Sequence, residues 1–151
     1  MSVTQDGMAL RKLMLGLKVD RATDNITTGE ELFTISGGNV LVTYIIGEVT
    51  TVIETKTVNF KLVADPTVGT STDMCGNLDL SADEVGTLYT ISGAAATAMQ
   101  RGESGSVIGQ LYPVAVAPGA IEATVGATHT GSIKWTLFYI PLEDGAYVTA
   151  A

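Results

Sequence analysis

Short runs in which apolar and polar residues alternate, separated by glycine-containing turns, constrain this chain more than any other feature. Near the end of the chain, Trp135, Leu137 and Tyr139 alternate with Lys134, Thr136 and Phe138, and Pro141 closes the run. Residues 57–63 alternate in the same way. Because successive side chains of a β-strand point to opposite faces, this period of two predicts strands with one buried face.

The number and spacing of these runs predict the fold class. Eight to ten short strands recur along the chain, with turn residues between them and no long helical segment. This pattern is typical of an all-β protein, an antiparallel β-sandwich of the jelly-roll kind. Parallel βαβ units are not expected.

One heptad occurs in two similar copies, LFTISGG at residues 32–38 and LYTISGA at residues 88–94. In both copies we expect a short strand with the aromatic residue and Ile facing inwards and Thr and Ser facing outwards, followed by a turn at Gly. The copies could mark two related Greek-key halves, or they could be chance recurrences in a chain rich in Thr and Gly. Both interpretations stay open.

The first 20 residues are interpreted as an extended N-terminal arm that could supply a first strand, with the sandwich domain at residues 21–151. Leu13, Leu15 and Leu17 alternate with other residues, which favours a strand from about residue 14. A helix is the alternative, because Leu10, Leu13, Met14 and Leu17 also share the spacing of one helical face. Gly16 and Val19 disfavour that helix.

The composition is apolar for a soluble domain of this length. Hydrophobic residues make up 46% of the 151, charged residues 16%, and the mean hydropathy is +0.32. The longest apolar-rich run, residues 40–46, is far shorter than the roughly 20 residues of a membrane-spanning helix. We therefore expect no membrane association, and contacts with other subunits as the way this surface is covered. A homotrimer is favoured and a dimer is the alternative.

The charge is unevenly distributed along the chain. The net charge is −8, but residues 1–21 hold four basic and two acidic side chains, so residues 22–151 carry −10. An acidic body disfavours nucleic-acid binding. A basic, apolar leader suggests an arm that docks on a partner, although a terminus can also vary freely. The expected contact residues for a shell protein or a sister subunit are Met8, Leu10, Arg11, Lys12, Leu13, Met14, Leu15 and Leu17.

Residues for catalysis or metal binding are few. The chain lacks the short sequence motifs of nucleotide-binding, serine-hydrolase and zinc-protease sites. The sequence therefore predicts no enzyme and no cofactor. Asp79, Asp83 and Glu84 lie in predicted turns, where they could cap backbone N–H groups or bind a metal ion such as calcium. The single cysteine, Cys75, rules out an intrachain disulfide and fits assembly in the cytosol.

Several segments together resemble one family. They are GSIKWTLFYIPLEDGA at residues 131–146, GNVLVT at 38–43, GEVTT at 47–51, DMC at 73–75 and LYTISG at 88–93. These segments resemble small structural proteins encoded beside the major capsid protein of tailed bacteriophages, over about residues 30 to 149.

The resemblance implies a virion component assembled in the host cytoplasm. More specifically, it implies a capsid decoration or cement protein that binds the major capsid protein on the outside of the shell. Two other hypotheses stay open: a head-fibre, tail or receptor-binding module that recognises host glycans, and a small jelly-roll hydrolase that would use Asp79 and Glu84.

Overall fold

The computed structural model describes residues 3–103 and 105–151, which form one helix and twelve strands. The helix α1 spans Val3–Leu15. The strands are β1 Leu17–Ile26, β2 Glu30–Ser36, β3 Val40–Thr51, β4 Asn59–Pro66, β5 Thr72–Asp73, β6 Leu78–Asp79, β7 Leu88–Thr90, β8 Gln100–Gly102, β9 Val114–Val116, β10 Gly119–Thr124, β11 His129–Pro141 and β12 Tyr147–Ala150.

Two six-stranded antiparallel sheets pack face to face, which confirms the predicted all-β sandwich. Sheet A has the order β1-β11-β3-β7-β8, with β9 also paired to β3. Sheet B has the order β12-β2-β10-β4-β5, with β6 also paired to β4. The early strands β1 to β4 alternate between the sheets, and each pairs with a later strand. This is the rolled pairing of a jelly roll, to which β12 adds a strand beside β2.

The core lies between the sheets and follows the predicted alternation. Trp135, Leu137 and Tyr139 of β11 are buried, as expected. The Trp135 ring stacks on Phe60 of β4, with ring centroids 5.7 Å apart and planes 11° from parallel. Trp135 also lies against Gly47, where an added Cβ would come within 2.7 Å of its ring. Gly47 therefore makes room for the aromatic pair that joins the two sheets.

The two copies of the heptad lie in different sheets. In both copies the aromatic residue and the isoleucine are buried, as predicted. In the first copy Thr34 and Ser36 are half-buried on the outer side of β2. The prediction is wrong for the second copy, because Thr90 and Ser92 are buried. Thr90 Oγ1 donates a hydrogen bond of 2.5 Å to the Ile45 carbonyl oxygen, so this hydroxyl satisfies a main-chain acceptor of the neighbouring strand β3.

The N-terminal arm is helical over Val3–Leu15, so the predicted extended conformation and the strand from residue 14 are wrong for this part. Gly16 is where the helix ends and the sheet begins. Its φ is +87°, and its N–H donates to the Lys12 carbonyl oxygen at 2.9 Å. This is a left-handed glycine cap at a helix C-terminus. The strand β1 starts directly afterwards, so the sandwich includes residues 17–20 of the predicted arm.

The segment before β9, residues 105–113, is a loop. The strand Val114–Val116 follows directly after it. Gln110 fixes this loop to β3, between the part of β3 that pairs with β9 and the part that pairs with β7. Its Oε1 accepts from the Ile45 N–H at 3.0 Å, and its Nε2 donates to the Val42 carbonyl oxygen at 3.2 Å. The side-chain amide thus takes the place of a missing strand neighbour.

Candidate docking surface around helix α1

The C-terminal end of α1 is attached to the outer face of sheet A. Thr43 Oγ1 of β3 donates to the Leu15 carbonyl oxygen at 2.5 Å and contacts the Phe138 carbonyl oxygen at 3.2 Å. Gly16 lies against β11, where an added Cβ would come within 2.0 Å of the Tyr139 carbonyl oxygen. The direction in which α1 leaves the sandwich is therefore set by backbone contacts at its last turn.

The apolar side of α1 faces away from the sandwich. Leu10, Leu13 and Met14, here called the helix stripe, are 57%, 82% and 68% exposed. Their spacing of three and four residues places them on one side of the helix. Arg11 and Leu15, which are also four residues apart, are half-buried. The helix thus turns Arg11 and Leu15 towards its own chain and leaves the helix stripe without cover from the described residues.

An uncovered helix of this kind is expected to have a partner. A helix of 13 residues is marginally stable in water without tertiary contacts. Large apolar side chains that stay exposed to water also do not gain the favourable free energy of burial. Both terms favour a state in which the helix stripe packs against another surface.

The structure brings all the predicted contact residues together at α1 and the first residue of β1. The exposed ones are Met8, Leu10, Lys12, Leu13, Met14 and Leu17, and the half-buried ones are Arg11 and Leu15. Arg21 does not belong to this basic surface. It is buried in the sandwich and pairs with Glu30 at 2.7 Å.

A second exposed apolar surface was not predicted. Ile108, Leu111 and Tyr112, here called the apolar loop, project from the uncharged segment 105–113. The apolar loop lies on the same side of the sandwich as α1, because Gln110 bonds β3 and Gly109 lies next to the Tyr44 ring. Tyr44 in turn meets Phe138 edge to face, with centroids 6.3 Å apart. The lack of charged residues over residues 105–113 was the sequence signal that could have identified this exposed surface.

Two of the three candidate metal ligands, Asp79 and Asp83, are engaged in structural hydrogen bonds, and the third, Glu84, is exposed. Asp79 Oδ1 accepts from the N–H groups of Val58 and Ser81 at 2.8 and 3.0 Å, as a turn cap does. Asp83 is buried and accepts from Tyr89 Oη at 2.5 Å and from Arg101 at 3.2 Å. Among residues 3–103 and 105–151, no group of three or more His, Cys, Asp or Glu side chains is placed to hold a metal ion.

Comparisons of the chain with protein-family models, with curated proteins and with solved structures found no match. The described part of the chain has no helix long and apolar enough to cross a membrane.

Proposed function

We propose that this chain is a non-enzymatic structural protein of a tailed-phage virion, a decoration protein that self-associates and binds the major capsid protein on the outer surface of the head. The observation that carries the proposal is the helix stripe, an uncovered apolar surface on an otherwise well-packed jelly roll. The resemblance of residues 30–149 to phage structural proteins supports the same function.

The architecture suits a protein that stabilises a shell. Its sandwich is held by a continuous apolar core that includes the Phe60–Trp135 stack, and a packed core of this kind has low compressibility and transmits strain. A protein that binds only the assembled shell lowers the free energy of that state by mass action. When copies are also linked to each other, their binding to a repeating lattice gains avidity.

The docking element in this proposal is α1. It carries the apolar helix stripe and the basic residues Arg11 and Lys12, whereas residues 22–151 have a net charge of −10. It contacts the shell or a sister copy, and in either case its loss weakens the hold of the protein on the head. A trimer is the favoured assembly and a dimer the alternative.

The test is a binding assay on phage heads produced without this chain. Full-length protein and a variant lacking residues 1–14 are each added to the heads, and bound copies per shell subunit are counted after sedimentation. The deletion leaves Leu15, Gly16 and β1 in place, so the sandwich should keep its thermal stability. We expect the full chain to saturate the heads and the deletion variant to bind poorly.

A matched control replaces an exposed apolar residue elsewhere. Val85 lies in the turn before β7 and is exposed, and Val85→Ser should bind as the full chain does. Equal binding by the deletion variant would reject the role of α1. No binding by the full chain, together with attachment to host cells, would replace the proposal by a receptor-binding module.

A further inference from the structure

The two outer faces of the sandwich differ in charge. The outer side of sheet A carries α1 with Arg11 and Lys12, and Lys12 is exposed on the side of the helix next to Leu13. The outer side of sheet B carries three carboxylates, those of Glu31, Asp65 and Glu122, here called the acidic cleft. Glu31 and Glu122 are register partners on β2 and β10, and Asp65 lies on β4 opposite Ala120.

The carboxylates of the acidic cleft are crowded. Burial, and then the charges of Asp65 and Glu31, raise the pKa of Glu122 above its usual value. The nearby Lys61 forms an ion pair with Asp73 at 2.9 Å, so its charge is paired with an acid outside the acidic cleft. A positive charge from outside would therefore relieve repulsion at this face.

The shape of the outer face of sheet B also suits a helix. The open cavity there measures about 310 Å³ and its floor carries small side chains, among them Thr34, Ser36 and Ala120. Two exposed apolar residues lie at its borders, Tyr147 as the register partner of Ser36 and Val68 directly after Thr67. Small residues on the floor let a helix approach closely, and the borders offer apolar contacts.

We propose that α1 of one copy packs on the outer face of sheet B of a second copy, with Leu13 of the helix stripe on the cleft and the adjacent Lys12 against its carboxylates. Charge complementarity selects a second copy as the occupant. The exposed Lys12 is positive and the acidic cleft is negative, and because they lie on opposite faces of one molecule they can meet only between two copies. Such a head-to-tail contact is heterologous, so repetition forms a closed ring when the rotation closes and an open chain when it does not. The favoured trimer would be a ring of this kind.

The inference rests on the self-association part of the proposed function and not on binding to the head. Its test therefore uses purified protein with no heads present, so the two proposals can fail separately. A helix variant carries Lys12→Glu and Leu13→Asp. A cleft variant carries Glu31→Lys and Glu122→Lys, and the milder pair Glu31→Gln and Glu122→Gln serves if the lysines impair folding.

Sedimentation velocity then separates the arrangements. If the contact is head-to-tail, each variant alone should self-associate at least about tenfold more weakly than the wild type and should sediment as a monomer where the wild type does not. An equimolar mixture must form one-to-one pairs, because the intact helix of the cleft variant meets the intact cleft of the helix variant. Higher ionic strength must weaken these pairs.

Three results would overturn the inference. A cleft variant that still self-associates would show a contact between helices. A mixture that stays monomeric while the wild type associates would place the contact elsewhere. A wild-type chain that is monomeric at every concentration would show that α1 does not bind a second copy. Lys134→Ala, an exposed change on sheet A outside α1, is the matched control and should associate as the wild type does.

Discussion

The side chain of Gln110 should contribute measurably to stability, because it completes the hydrogen bonding of a buried strand. Ile45 and Val42 are fully buried on β3, and the Gln110 amide accepts from one and donates to the other. It also donates to the Tyr112 carbonyl oxygen at 2.9 Å, which holds the loop in shape. The perturbation is Gln110→Met, which keeps an unbranched side chain of similar length and removes the amide.

The magnitude follows from the groups left without partners. A buried donor or acceptor that loses its partner costs about 1–3 kcal/mol. The Ile45 N–H loses its acceptor and the Val42 carbonyl oxygen loses a donor, both at fully buried residues, whereas the Tyr112 carbonyl oxygen loses its donor at an exposed residue. We therefore expect a loss of about 2–3 kcal/mol in the free energy of unfolding. For a chain of this length that corresponds to a fall in Tm of about 4–12 °C.

Urea unfolding at equilibrium gives the change in free energy, and amide hydrogen exchange at Ile45 reports the local effect. The Met variant should show a lower midpoint at unchanged m-value and faster exchange at Ile45. Ile108→Ala, an exposed change in the same loop, is the control and should lie within about 0.5 kcal/mol of the wild type. An equally small change for Gln110→Met, with unchanged exchange at Ile45, would refute the reasoning.

Three further predictions concern single residues. Gly16→Ala should destabilise the chain by about 1–3 kcal/mol in thermal unfolding, because its Cβ would meet the Tyr139 carbonyl oxygen, and a neutral result would contradict the cap. Burial raises the pKa of Cys75 to about 11, so a thiol reagent at neutral pH should label it only after unfolding, and rapid labelling of the native protein would count against this burial. The hydrogen bond with His129 lowers the pKa of Glu54, so its stabilising contribution is present at neutral pH and is lost as the pH falls through the folded-state pKa. Glu54→Gln should therefore lose less stability on acidification than the wild type does, and equal losses in urea midpoints would disprove this.

The sandwich could be predicted because its signal is local. In β11 the core-facing residues Trp135, Leu137 and Tyr139 recur with a period of two, and this pattern is visible in the sequence. The same alternation identified Phe60 and Leu62 on β4. Turn glycines separate these strands, so the class of fold follows from neighbouring residues alone.

The helix was missed although its spacing was visible. Leu10, Leu13 and Met14 fit one helical face, but Gly16 and Val19 argued for a strand. Both signals are right for different residues, since the helix ends at Leu15 and Gly16 is its cap. A hydrophobic pattern that crosses the boundary between a helix and a strand fits both structures. Only the glycine cap shows where the helix ends and the strand begins.

The roles of Gln110, Thr90 and Arg21 could not be predicted. Each is a polar residue whose partner lies far away in the chain, or in a turn whose shape the sequence does not reveal. Gln110 bonds residues more than 60 positions earlier, and Thr90 bonds Ile45. The acidic cleft is likewise assembled from β2, β4 and β10, which become neighbours only in the rolled sheet.

Sedimentation velocity of the purified chain, with and without residues 1–14, tests most directly whether α1 is the docking element of a self-associating protein. The account predicts a species larger than the 15.7 kDa monomer for the full chain and a folded monomer for the truncated one. A full chain that sediments as a single monomer, or a truncated chain that associates as strongly as the full one, would contradict it.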